Sequence, residues 1–435
     1  MRKILLKSLF ILLIINLFAI NVKAQEPLRL TLDQALEIAL SESNTIKIAN
    51  MTVEKSGYAQ KGSYSSLYPN VSVNGSYQRT LLKQVMVMDM GGQPMEIKVG
   101  RDNNISASAS ASMPLVNAPL WESLKLSALD VELAVEQARS SKVSMISQVK
   151  QAFYGVLLAK ESLNVMTQVY ENARQNYEKT LQRFNVGKAS EVEKLRSQVT
   201  MMSAEPNVSS AENAVLLATW QLKAVMGLDL GAEIEAVGDL NDYTSELLAP
   251  YISEDDISGN SSLLQFDIQD RMLESNLRMQ KKQYLPTLAA SINYNYSAMG
   301  DDELKWFPSS TAALSLNIPI FDGFQKHFNI KQTKISKDML AMQRQDTERQ
   351  IRIAIRNYND NIALCVKNYT AANATVEIAQ KSYEISEKMY EVGKATLVEL
   401  NDAQVALMQA QLTQAQAIYS FMVAKASLDE LIGKE

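Results

Sequence analysis

The sequence has one histidine, His327, and one cysteine, Cys365, among 435 residues. A lone imidazole cannot build a histidine-rich metal centre, and a lone thiol cannot close an internal disulfide. The Gly-Lys pairs at Gly187-Lys188 and Gly393-Lys394 lack the earlier glycine that a phosphate loop requires, and no Gly-x-Ser-x-Gly elbow occurs. The chain is therefore expected to be no enzyme, with no catalytic residue, no cofactor and no dedicated metal site. A net charge of −5, without a basic tract, argues against nucleic acid as a partner.

Long apolar runs are absent beyond the N-terminus. The opening "MRKILLKSLFILLIINLFAINVKAQ" places Arg2, Lys3 and Lys7 before an apolar run ending at Ile20, then Val22 and Ala24 as small-residue cleavage positions. Residues 1–24 read as a secretory signal peptide, the run being shorter than the roughly 20 residues a membrane span needs. The mature chain is expected to be exported and to have no transmembrane helix.

What the sequence does have is a repeat. Gly187 and Gly393 lie 206 residues apart, as do Gly227 and Gly433. The same offset relates two apolar seams stepping by three and four residues: Val149, Ala152, Val156, Ala159 and Leu163 in one half, Ile355, Tyr358, Ile362, Cys365 and Tyr369 in the other. Such spacing is the heptad seam of a coiled coil. Cys365 lies on it and reads as a packing residue. Each half thus predicts a long helix, a turn at its Val-Gly-Lys, and a helix running back, with Pro206 expected to kink or open its helix.

Before each long helix the period changes to two. "ISASASASM" at 105–113 alternates apolar and serine positions, and 69–78, 288–297 and 312–320 alternate similarly. These predict four half-buried strands, a pattern that suits either a transmembrane barrel or a soluble sandwich. Pro69 and Pro286 mark helix-to-strand junctions, and Pro114 and Pro319 mark strand-to-helix junctions. The first hairpin has 12 extra residues, placed in a loop with Gly91-Gly92 as its turn. Met86, Met88, Met90 and Met95 crowd that loop. They either prolong a hairpin or offer thioethers to a soft ion such as Cu(I).

In this order the elements, with "LTLDQALEIALSESN" at 30–44, resemble the TolC-type outer-membrane efflux proteins over essentially the whole mature chain. The resemblance implies an α+β membrane protein made of two internal structural repeats. The first, 25–230, holds a helix, a β-hairpin at about 67–115 and a helical hairpin at about 119–228. The second, 261–435, holds a helix, a β-hairpin at about 285–320 and a helical hairpin at about 322–432. Residues 231–260 would form an equatorial belt.

Four strands per chain imply a homotrimer with a 12-stranded transmembrane β-barrel, continued by a periplasmic α-helical barrel of coiled-coil hairpins. The implied function is a passive exit duct in the cell outer membrane of a Gram-negative bacterium, in contact with outer-membrane lipid. A periplasmic adaptor protein and an inner-membrane pump of the RND or ABC type would complete the system. A type I protein-secretion duct and an exported structural coiled-coil protein are the alternatives.

The resemblance also assigns residues. Val186, Gly187 and Lys188, with Val392, Gly393 and Lys394, match the adaptor-docking tips; a plain helix C-cap is the alternative reading of each glycine. Glu399 and Asp402, three residues apart, match pore-facing acids, whose crowding in a trimer would raise their pKa values. Glu193 and Tyr390 match closed-state links. Ala395 stands where the best-known member of the family has an arginine, so that salt bridge cannot form in the same way, and Lys394 is the substitute to consider.

Overall fold

A computed structural model describes residues 28–89, 94–249, 256–301 and 303–434. In chain order the elements are β1 (Leu28–Leu30), α1 (Leu32–Glu42), α2 (Asn44–Tyr64), β2 (Asn70–Arg79), β3 (Gln84–Asp89), β4 (Pro94–Val99), β5 (Asn103–Val116), α3 (Ala118–Asn185) and α4 (Glu191–Met226), followed by β6 (Ile234–Ala236), α5 (Thr244–Leu248), α6 (Ser261–Lys282), β7 (Thr287–Gly300), β8 (Lys305–Asn317), α7 (Gln325–Glu391) and α8 (Leu397–Ile432). The expected signal peptide and the expected turn at Gly91-Gly92 lie outside the described residues. No helix among the described residues is long and apolar enough to cross a membrane.

The chain divides into two compact units, and each draws on both halves of the sequence. One holds the described residues up to Lys47 with Ser141–Gly259 and Ile351 onward; the other holds Ile48–Ser140 and Asn260–Gln350.

In the first unit the heptad seams are the core. Val149, Val156, Ile355, Ile362 and Cys365 are buried, as are Ala204, Ala211, Ala410 and Ala417 on the returning helices. Pro206 sits inside α4 without opening it. A proline deprives the carbonyl four residues back of its donor; that carbonyl belongs to Met202, which is exposed, so water can take the donor's place. The segment after α4 is tied in by β1 pairing in parallel with β6. Lys160 Nζ donates to the Ala236 carbonyl at 2.6 Å, and Tyr154 and Tyr243 meet edge to face with ring centroids 5.1 Å apart.

In the second unit the four alternating strands form one antiparallel sheet of order β2-β5-β7-β8. The period-two pattern becomes two continuous faces, because register partners share a face. One row runs Ser72, Ser110, Asn293, Thr311, and the next polar row runs Asn74, Ser108, Asn295, Ser309. Ser72 and Ser110 are hydrogen bonded at 2.9 Å, and Ser76 and Ser106 at 2.7 Å. The other face carries Val71, Ala111, Ile292 and Ala312, and ends in Tyr77, Ile105, Ala298 and Trp306. Trp306 stacks on Tyr296 at 4.7 Å.

Pro114 does not end its strand. β5 runs on to Val116 through an irregularity in register between Pro114 and Val116, since proline is tolerated where a bulge interrupts the ladder. At the other end of the strands Asp301 joins the two hairpins. It accepts from Lys83 Nζ, Arg101 Nη1 and the Asp102 amide, each at 2.9 Å. The Lys83 bond, before the other two, holds its carboxyl well below the usual range.

Glu122, in the second turn of α3, is a buried carboxylate. Lys282 Nζ donates to it at 2.7 Å, Lys125 at 3.2 Å, Ser275 Oγ at 3.3 Å and Arg278 Nε at 3.4 Å. The lysine bond outweighs desolvation and pulls its pKa down to about 2. A depressed pKa contributes stability that is complete above the ordinary value of 4.5 and lost as pH falls through about 2. Glu122→Gln should therefore destabilise the unit by about 2 kcal/mol at neutral pH. Melting curves should show this gap closing as pH falls from 4.5 toward 2.

Candidate functional site: the helical hairpin tips

The two Val-Gly-Lys turns end α3 and α7 in the same way. Gly187 and Gly393 both have φ of +73°. The Gly187 amide donates to Phe184 at 2.9 Å and Lys188 to Arg183 at 2.7 Å; Gly393 donates to Tyr390 at 3.1 Å and Lys394 to Met389 at 2.8 Å. This crossed pair of bonds around a left-handed residue is the Schellman helix end. A side chain at Gly187 would meet nothing within 4 Å. The turn thus demands glycine for its dihedral angle, and within one chain no close approach requires it.

The caps leave Val186 and Val392 each 68% exposed, beside Lys188 and Lys394, which are also exposed. Neither lysine meets a carboxylate among the described residues. Each tip offers solvent an apolar side chain and a cation. Beside them α4 and α8 enclose an open groove of about 560 Å³ lined by Val192, Leu195, Val199, Leu397 and Val398.

The acids beyond each glycine have a local task. Ser190 caps α4 and Thr396 caps α8, each in a capping box. Glu193 accepts from the Ser190 amide at 2.8 Å and its hydroxyl at 3.1 Å. Glu399 accepts from the Thr396 amide at 2.7 Å and its hydroxyl at 3.1 Å. These bonds, the backbone one first, lower the Glu399 pKa. The rise expected from crowded acids belongs to an assembled trimer; within one chain the Thr396 bonds set the direction. Asp402 is exposed three residues further along.

Glu193 and Tyr390 are not brought together, since Glu193 is held by Ser190. Tyr390, 4% exposed, instead bonds through its hydroxyl to the buried Thr180 hydroxyl at 2.8 Å. Thr180 Oγ1 also lies 2.7 Å from the Asn176 carbonyl, to which it donates. Arg183 Nη1 donates to the Tyr390 carbonyl at 3.2 Å, and its guanidinium sits 5.3 Å from the ring centroid. Lys179 reaches Glu391 at 2.6 Å and Glu387 at 3.7 Å. Ala395 packs partly buried against the core of the second hairpin, beside Leu397 and Leu400.

Sequence reasoning missed Lys179, Thr180 and Arg183. Their signal was a departure from the repeat: 206 residues on, Lys179 faces Ile385 and Arg183 faces Met389. Charges in one copy and apolar residues in the other mark where the two hairpins meet unequally.

Hydrogen bonds from Lys179, Thr180 and Arg183 link the two helical hairpins near their tips. A family model described as "Outer membrane efflux protein" matches residues 35–228 and 255–434. Outer membrane protein TolC of Escherichia coli K12 is 23% identical over 355 residues, covering 76% of this chain and 70% of that protein. Its namesake in Vibrio cholerae is 22% identical over 336 residues, covering 76% of each. Among solved structures, the Campylobacter jejuni CmeC outer membrane channel superposes with a TM-score of 0.73 at 18% identity, over 92% of this chain and 85% of that one. The chain belongs to the outer membrane efflux protein family.

Proposed function

We propose that the protein is the outer-membrane exit duct of a tripartite efflux system, passive itself and fed by an inner-membrane pump through a periplasmic adaptor. The observation that carries this reading is the sheet β2-β5-β7-β8: one polar face, one apolar face, and two unpaired edges in a single chain. Lipid cannot satisfy free strand edges, so a spanning sheet must close on itself. Three copies would join β8 of one chain to β2 of the next in a 12-stranded barrel, with serine and asparagine toward water and Val71, Ile292 and Leu314 toward lipid. Tyr77, Tyr296 and Trp306 would form the aromatic belt at one interface. The helical hairpins would extend into the periplasm. Their tips, Val186-Gly187-Lys188 and Val392-Gly393-Lys394, would receive the adaptor, and the Thr180–Tyr390–Arg183 contacts would hold the resting arrangement.

In that assembly Glu399 and Asp402 form the constriction. Truncating Glu399 would also remove a helix cap worth about 1 kcal/mol. Glu399→Gln keeps the capping geometry while removing the charge, so Glu399→Gln with Asp402→Asn isolates electrostatics. In planar bilayers the native protein should conduct with cation preference, and the double variant should lose most of it. Unchanged selectivity would remove both residues from the pore, and absence of any conductance in the native protein would overturn the duct itself.

A further inference from the structure

Among the described residues strands β3 and β4 pair only with each other, at the end of β2 and β5 away from the helices. Their register sets Met86 opposite Ile97, Met88 opposite Met95, and Gln84 opposite Val99. Opposed residues share a face, so Met86, Met88 and Met95 lie together on one side of this ribbon. Glu96 and Lys98, opposite Val87 and Val85, lie on the other. The methionine face therefore carries no formal charge.

Methionine usually fills irregular gaps in a core. Here there is no core to fill: the three side chains are 45%, 43% and 48% exposed. Methionine adds no particular strand preference either, whereas valine and isoleucine would. What three methionines supply that other apolar residues do not is three thioether sulfurs. Directly opposed Cβ atoms lie about 5 Å apart and diagonal ones about 7–8 Å, separations that three flexible thioethers can span to a common ion.

We propose that Met86, Met88 and Met95 form a binding site for a soft monovalent cation of the Cu(I) or Ag(I) class. Uncharged thioethers select such ions, while zinc, calcium and magnesium need imidazole, thiolate or carboxylate donors that this face lacks. An ion held across the strands would also clip a two-stranded ribbon that alone is only marginally stable. The site stands independently of the exit-duct reading, because it rests on donors within one hairpin. Met90 lies outside the described residues and the site does not depend on it.

Silver nitrate in chloride-free buffer is the probe, added to the full-length detergent-solubilised protein carrying Cys365→Ala so that no thiol competes. Native mass spectrometry should find one more silver ion per chain than in the same protein with Met86→Leu, Met88→Leu and Met95→Leu. Leucine keeps the face apolar, and an unchanged melting curve shows that the variant folds; the single Met→Leu variants serve if the triple does not. With silver at about ten times its Kd, peroxide oxidation of these three sulfurs should slow about tenfold. Met51 and Met342, 65% and 67% exposed, should oxidise at unchanged rates. Equal silver binding by the native and leucine proteins, or equal oxidation of Met86, Met88 and Met95 with and without silver, would overturn the site.

Discussion

Replacing both tip glycines by valine should abolish adaptor-dependent efflux while leaving the protein in the membrane. The φ of +73° at Gly187 and Gly393 costs an ordinary residue about 1–2 kcal/mol, and a β-branched one more, because its Cβ crowds the next carbonyl. Relaxing that strain means leaving the left-handed region, which breaks the crossed bonds from Gly187 and Lys188 and from Gly393 and Lys394. Val186, Lys188, Val392 and Lys394 are then presented in other directions. An adaptor that reads an apolar side chain and a cation at a fixed separation would lose both tips together. The control is Gly187→Asn with Gly393→Asn, since asparagine tolerates the left-handed conformation and should keep much of the activity. Drug susceptibility of a complemented strain and crosslinking from Lys188→Cys report the result. Full efflux and undiminished capture in the double-valine protein would show that the tips do not dock the adaptor.

A second expectation concerns leakage without an adaptor. Tyr390→Phe removes a hydroxyl that bonds to the fully buried Thr180, and Arg183→Ala removes both a bond to the Tyr390 carbonyl and a cation stacked on its ring. Thr180 keeps its own bond to Asn176, so the tyrosine change costs about 1 kcal/mol and the arginine change about as much. Together, about 2 kcal/mol shifts the balance between joined and parted hairpins roughly thirtyfold toward parted. Conductance of the adaptor-free double variant should rise accordingly, and strains carrying it should become sensitive to large antibiotics. Lys179→Ala should do much less, because its pairs with Glu387 and Glu391 are partly solvated and screened. A double variant as tight as the native protein would mean that these contacts do not hold the resting state.

The parts of the fold legible in the sequence are those with dense periodicity. The seam through Val149 and Ile355 and the alternation at 105–113 each repeat their signal many times, so no single residue decides the reading. The tip glycines were legible because an αL helix end has a strong residue preference. Single side-chain roles were harder to read. Ser190-x-x-Glu193 and Thr396-x-x-Glu399 are plain capping-box signatures, yet an acid three residues into a helix is equally compatible with a gate. The partner of Tyr390 could not be read at all, since Thr180 lies 210 positions away and only the folded chain sets the two hairpins side by side. Pro114 misled for a related reason: whether a proline ends a strand or sits in a bulge depends on the neighbouring strand's register.

The unpaired edges of the four-stranded sheet also bear on how the protein comes to exist. β2, from Asn70 to Arg79, has no proline and only a terminal charge, and β8 beyond Pro308 has neither. Natural edge strands usually carry such guards against pairing with the wrong neighbour. In the proposed trimer these edges are adhesive by necessity, since each must find another copy. A newly exported chain is thus hazardous until it meets its partners, and its lifetime in that condition lengthens as its concentration falls. Sparse expression should favour misassembly through delay, and crowded expression should favour it through collision. The yield of correct channels should therefore peak at an intermediate synthesis rate, and holding chaperones should widen that peak.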